Sequence, residues 1–180
     1  MRHTIQRLHF WTSDDVAPLV EACTVSPGRI AAEERERYVI DTEGDTLLNA
    51  FFELLHRFTS LGKLTSFSVK FKQIAVDAVV SLPNLKEIEL GGCSVDKAVD
   101  VDCHLKAARL SFVYMSSLYP DDLVALQRWT SLIDRRTLAH LSLLFYRPLK
   151  AFLDADIAAF PNVQALVFLL SGHCAFSLPT

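Results

Sequence analysis

The chain has 180 residues, with 51% apolar, 22% charged and a net charge of −3. That length supports one domain with a real interior, and the apolar fraction excludes a disordered tail. The near-neutral balance and scattered basic pairs such as Arg135-Arg136 give no nucleic-acid footprint. Asp154, Asp156 and Pro161 break the greasiest region below the roughly 18 residues a spanning helix needs, so no membrane contact is expected. Met1 to Asp15 lacks an apolar signal core, and an intracellular protein, cytoplasmic or nuclear, is the expectation.

In chain order, residues 5–11 read as a first strand through Ile5, Leu8 and Phe10. Ser13-Asp14 then offers an N-cap for a short helix with Val16, Leu19 and Val20 inward. Ser26-Pro27-Gly28 is a turn, Glu33 to Arg37 a solvated charge run, and Tyr38-Val39-Ile40 a further short strand. After Asp45, another N-cap candidate, Leu47, Leu48, Phe51, Phe52, Leu54, Leu55 and Phe58 recur at helical spacing, and Gly62 marks the stop. Strands are expected at 65–71, 86–91, 106–113, 139–145 and 164–170. Helices are expected at 74–82, 121–133 and 149–160 between them. Helical connections of this kind imply parallel strands with right-handed crossovers.

Leu85 to Cys93 has the spacing L-x-x-L-x-L-x-x-C, the strand half of a leucine-rich repeat. Looser copies start at 5, 64, 105, 138 and 163 (Leu64/Phe67/Val69, Leu105/Ala108/Leu110, Leu138/Leu141/Leu143, Val163/Leu166/Phe168), giving intervals of 59, 21, 20, 33 and 25 residues. Leu82-Pro83-Asn84-Leu85 is echoed by Phe160-Pro161-Asn162-Val163, where proline ends a helix and presets extended chain. The expected fold is therefore α/β, a leucine-rich-repeat-like solenoid with parallel strands on the concave face and helices on the convex face. One domain spans 1–180, with an irregular part at 1–60 and the clearest repeats at 61–170.

The chemistry-bearing motifs are weak. Cys23, Cys93, Cys103 and Cys174 form no C-x-x-C and should stay reduced; the six histidines are scattered, so no metal and no cofactor are expected. Asp121 and Asp122 read as helix-start charges, Trp129 as core or interface, and Gly91-Gly92 as the turn leaving a strand. His140 and Ser142 share a strand face without a third triad member, and no nucleophile elbow, phosphate loop or zinc helix occurs.

Strand alternation turns the residues between the apolar positions outward. These are Arg7, His9 and Trp11; Ser66, Ser68 and Lys70; Glu87, Glu89 and Gly91; Ala107, Arg109 and Ser111; His140, Ser142 and Leu144; Ala165, Val167 and Leu169. The candidate binding set is Arg7, His9, Trp11, Lys70, Glu87, Glu89, Arg109, His140, Leu144 and Val167, with Lys70, Glu87, Glu89 and Arg109 as one mixed-charge cluster. The final strand at 164–170 is expected to leave an apolar edge, a candidate for self-association unless 171–180, another chain or further repeats cover it.

The strand pattern and Leu82-Pro83-Asn84-Leu85 resemble the repeat region of leucine-rich-repeat proteins, and the uneven lengths are similar to fungal-type F-box/leucine-rich-repeat proteins. The resemblance covers about residues 60–170 and implies a substrate-holding repeat region. In that family an F-box segment joins a ubiquitin ligase through a Skp1-like adaptor, and no F-box helix cluster precedes Ile5. The expected function is non-enzymatic protein recognition on the concave face, in the manner of the substrate-recognition part of such an adaptor. The alternatives are a structural fragment or subunit of a larger repeat assembly, and a small α/β hydrolase.

Overall fold

The computed structural model describes residues 2–26, 40–41, 46–100, 104–115, 127–145, 162–170 and 174–177. The expectations for Ser26-Pro27-Gly28 beyond Ser26, for residues 33–37, for Asp45, for Asp121 and Asp122 and for the helix at 149–160 lie outside these residues.

A helix α1 (Arg2–Trp11) is followed by strands β1 (Ala22–Val25) and β2 (Ile40–Asp41), then helix α2 (Thr46–Leu54). Next come β3 (Lys63–Phe67), β4 (Val69–Phe71), helix α3 (Gln73–Val80), β5 (Glu87–Gly91), β6 (Ser94–Val95) and β7 (Arg109–Met115). Helix α4 is described over 127–132, and β8 (His140–Phe145), β9 (Ala165–Leu170) and β10 (Cys174–Ser177) complete the order. The fold is mixed α/β. One seven-stranded sheet runs β1-β3-β5-β7-β8-β9-β10 and a second has the order β2-β4-β6. All pairings in the large sheet are parallel except β9 with β10.

The register of the large sheet is strict. Cys23, Leu64, Ile88, Leu110, Leu141 and Leu166 pair across it in sequence, spaced by 41, 24, 22, 31 and 25 residues. Leu64, Ile88, Leu110 and Leu141 are each at most 1% exposed. A second buried column of Leu61, Leu85, Ala107 and Leu138 precedes the strands, and a third of Ser66, Leu90, Phe112 and Leu143 lies two residues further on. Burial of such columns supplies most of the favourable free energy, on the order of 1.5–3 kcal/mol per large side chain.

Five strands of the large sheet, β3, β5, β7, β8 and β9, start with the same backbone device. Glu21 O accepts the N–H groups of Gly62 and Lys63, Gly62 O those of Lys86 and Glu87, and Lys86 O those of Ala108 and Arg109. Ala108 O then accepts from Ala139 and His140, and Ala139 O from Gln164 and Ala165. The asparagines of the two Pro-Asn dipeptides make equivalent bonds. Asn84 Nδ2 donates to Thr59 O at 2.7 Å and Asn162 Nδ2 to Arg136 O at 2.8 Å, each side chain tying a strand entrance to the preceding turn.

Where the large sheet ends, the chain bends into the small one. Ser68, with φ 52°, and Gly92, with φ 59°, occupy matched positions, because Phe67 pairs with Gly91 and Lys70 with Ser94. Glycine adopts that left-handed backbone freely, whereas Ser68 is held there at a cost, partly through its N–H donating to Gly91 O at 2.8 Å. Gly91 meets a different demand: a Cβ on it would run into Cδ1 and Cε1 of Phe67, so the Phe67 ring where it stands leaves room only for hydrogen. Between the small sheet and the helices, Phe52, Phe71 and Trp129 pack edge to face, with centroids 5.4 and 4.8 Å apart. Trp129 is thus core.

Several expectations are corrected. Residues 5–11 belong to a helix, because Leu8 and Thr12 stand one turn apart and Thr12 N–H donates to Leu8 O; a run this short fits either period. Ser13 Oγ donates back to Phe10 O and so closes α1, and the chain then makes a single 3-10 turn (Ala17–Leu19) with Leu19 76% exposed. The strand at 65–71 is two strands broken at Ser68. The inward apolar sets expected to start at 64 and 105 fall instead on Leu61/Leu64/Ser66 and Ala107/Leu110/Phe112, and the strand ahead of them is β1, with Cys23 paired to Leu64, in place of Ile5/Leu8/Phe10. The β9 edge is not open, since β10 pairs along it from Cys174 with Leu170 to Ser177 with Val167. Among the described residues no helix is long and apolar enough to cross a membrane.

Candidate functional site

With the leucine columns turned toward the helices, the intervening residues of the large sheet form two rows on its other face. The first row is Ala22, Lys63, Glu87, Arg109, His140 and Ala165 in register. The second is Thr24, Thr65, Glu89, Ser111 and Ser142, with Thr65 buried. Adjacent strands stand about 4.8 Å apart, so each row is a ladder of neighbouring side chains. Glu87, Glu89, Ser111, His140 and Ser142 are half-buried and Arg109 is exposed.

Lys63 is the hub of this face. Its Nζ lies 2.7 Å from Glu87 Oε1 and 3.1 Å from Glu89 Oε2, and these two hydrogen bonds, Glu87 first, hold the ammonium above its ordinary pKa. The three side chains are 26–40% exposed, so each pair contributes little to stability and chiefly orients the carboxylates. At the strand entrances an open depression of about 510 Å³ is lined by Glu21, Ser60, Gly62, Lys63, Lys86, Glu87, Ala108 and Arg109. The amides at its floor already donate to the carbonyls of the preceding strands, which removes them as an anion cradle.

The structure keeps Glu87, Glu89, Arg109 and His140 together as expected from strand alternation, and separates the rest. Lys70 lies on β4 in the small sheet, where its Nζ is 2.9 Å from Asp96 Oδ2; Lys63 takes its place beside the glutamates. Arg7, His9 and Trp11 lie on α1, exposed and outside the sheet. Leu144 and Val167 sit in β8 and β9, and their side chains lie outside the described set. Ser66 points inward, fully buried with its hydroxyl unpartnered, and Ala107 is buried as well.

Lys63 and Thr65 were missed because Ser66 stands where Leu90, Phe112 and Leu143 close the buried sets of the other strands, so the best apolar match slides by three residues; Thr24 was missed because the first strand was expected at 5–11 and lies at Ala22–Val25.

Two other polar centres are structural. Arg128 Nη2 donates to the carbonyls of Asp96, Lys97 and Val99 at 2.8–3.1 Å and so clamps the loop after β6. Cys93 Sγ donates to Ser66 O at 3.2 Å, and burial pushes its thiol up to about 12, with Cys23 at about 11. Neither thiol is poised as a nucleophile. His140 and Ser142 stand side by side on β8 without a hydrogen bond between them, and no group of three or more metal-ligating side chains occurs among the described residues. What the face offers is charge and hydrogen bonding on a parallel sheet. Comparison with family models, curated proteins and solved structures finds no match to the chain.

Proposed function

We propose that this chain is a leucine-rich-repeat-like solenoid whose exposed sheet face recognises another protein without catalysing a reaction. The solenoid reading is supported by the recurrence of one buried column set at β3, β5, β7 and β8, of one doubly used carbonyl at the entrances of β3, β5, β7, β8 and β9 and, twice, of one asparagine clasp. The observation that carries the function is the pair of rows centred on Lys63, Glu87, Glu89, Arg109 and His140. These chemically diverse side chains come from four strands and lie partly open on a rigid surface. Complementary charge of this kind selects partners and sets association rates more than it adds raw affinity.

The test is affinity capture from cell extract with identification of what binds, using wild type, a Glu89→Arg/Arg109→Glu double variant, and a control altered on the helices at Glu53 and Asp77. Loss of the same partner only in the sheet-face variant, with an unchanged melting temperature, is the expected result. Capture that survives there and fails with the helix variant moves the site to the opposite side of the molecule and ends this reading.

A further inference from the structure

On the recognition reading above, one part of the face has a more specific chemistry. Arg109 and His140 are direct neighbours across β7 and β8, and Ser111 and Ser142 form the next pair along the same two strands. Among the described residues none of these four side chains makes a hydrogen bond or ion pair, although Arg109 is exposed and the others are half-buried. The neighbouring carboxylates are turned away from them: Glu87 and Glu89 both converge on Lys63.

We infer that this two-by-two block is a subsite for a carboxylate, the aspartate or glutamate side chain of an acidic segment of the partner protein. A guanidinium presents parallel N–H donors that match the two oxygens of a carboxylate. The two serine hydroxyls, and whichever imidazole nitrogen carries a proton, can donate to the lone pairs that remain. The charge of the surroundings selects a monoanion. Lys63 neutralises only one of the two glutamates beside it, so the β3–β5 side of the block carries one net negative charge and repels a dianionic phosphate more strongly than a carboxylate.

The experiment is a heteronuclear NMR titration of the full chain with the peptide Ac-Gly-Glu-Gly-NH2, and separately with its glutamine and phosphoserine counterparts. The glutamate peptide is expected to shift the Arg109 side-chain N–H, the His140 ring and the Ser111 and Ser142 amides. Those shifts should be lost in Arg109→Gln and grow in Glu87→Gln, where a competing acid is removed, while the rest of each spectrum reports an intact fold. Equal shifts with the glutamine peptide, persistence in Arg109→Gln, a stronger response to phosphoserine, or silence to all three peptides overturns the carboxylate subsite. The two readings fail separately. Partner capture that is lost with a Glu89→Arg single variant but retained with Arg109→Gln leaves recognition standing and removes the subsite, and capture indifferent to both removes both.

Discussion

Replacing Ile88 by alanine tests the strand phase on which the site depends. Ile88 is 1% exposed, lies between Leu64 and Leu110 in the central buried column, and belongs to the third strand of seven. Truncating a buried isoleucine to alanine costs about 2–5 kcal/mol, and a site fixed by two flanking strands collapses little around the void, which places this change in the upper half of that range. Taking about 3.5 kcal/mol and the roughly 2–4 °C per kcal/mol of a chain this size, the midpoint should fall by about 7–14 °C. Glu89→Gln, one residue along, removes only a partly exposed contact to Lys63 and should cost less than about 1 kcal/mol. Equilibrium urea unfolding and thermal melts of both variants give the comparison. Equal losses, or a larger one at position 89, would mean that the two faces have been exchanged and that the charged rows point into the interior.

Asn84→Ala and Asn162→Ala should destabilise by about 1 kcal/mol each, and by similar amounts, because each deletes one side-chain bond to the preceding turn; a chemical denaturation series decides it. Ser66→Ala should be neutral or stabilising by about 1 kcal/mol, since it removes a buried hydroxyl with no partner, and a clear loss of stability in the same series would show that the hydroxyl is satisfied in solution. Cys93 should resist alkylation at pH 8 in the native protein and react only on unfolding, with Cys23 intermediate, because burial disfavours both thiolates; mass spectrometry of iodoacetamide-treated protein reads this directly. Asp96 is held down to about 2, first by the Ala98 N–H and then by Lys70. A carboxyl depressed in the folded state stabilises above its unfolded value and loses that contribution as pH falls from 3.8 toward 2. Asp96→Asn should therefore flatten the acid limb of the stability curve in that window.

Short-range pattern was enough for part of this protein. The Leu85–Cys93 spacing, the Pro-Asn punctuation and the helical run from Leu47 to Phe58 each carry their own period or stop signal, and they placed β5, α2 and the outward direction of Glu87, Glu89, Arg109 and His140. Elsewhere the local signal was degenerate. Ile5, Leu8 and Phe10 suit a helix as well as a strand, and no neighbouring strand among the described residues pairs with them, so backbone hydrogen bonding within the segment decided for α1. Ser66 in a leucine column shifted the apparent copy, and only pairing of β3 with β5 sets the register that turns Lys63 outward and sends Lys70 to the second sheet. Because side chains alternate faces along a strand, register is a property of the pair of strands and not of either sequence alone. The C-terminal edge is a different case: β9 and β10 are separated only by Ser171-Gly172-His173, so ladder bonds between near neighbours in sequence bring Cys174–Ser177 back along the sheet, and the short glycine-containing spacer was the local signal for it.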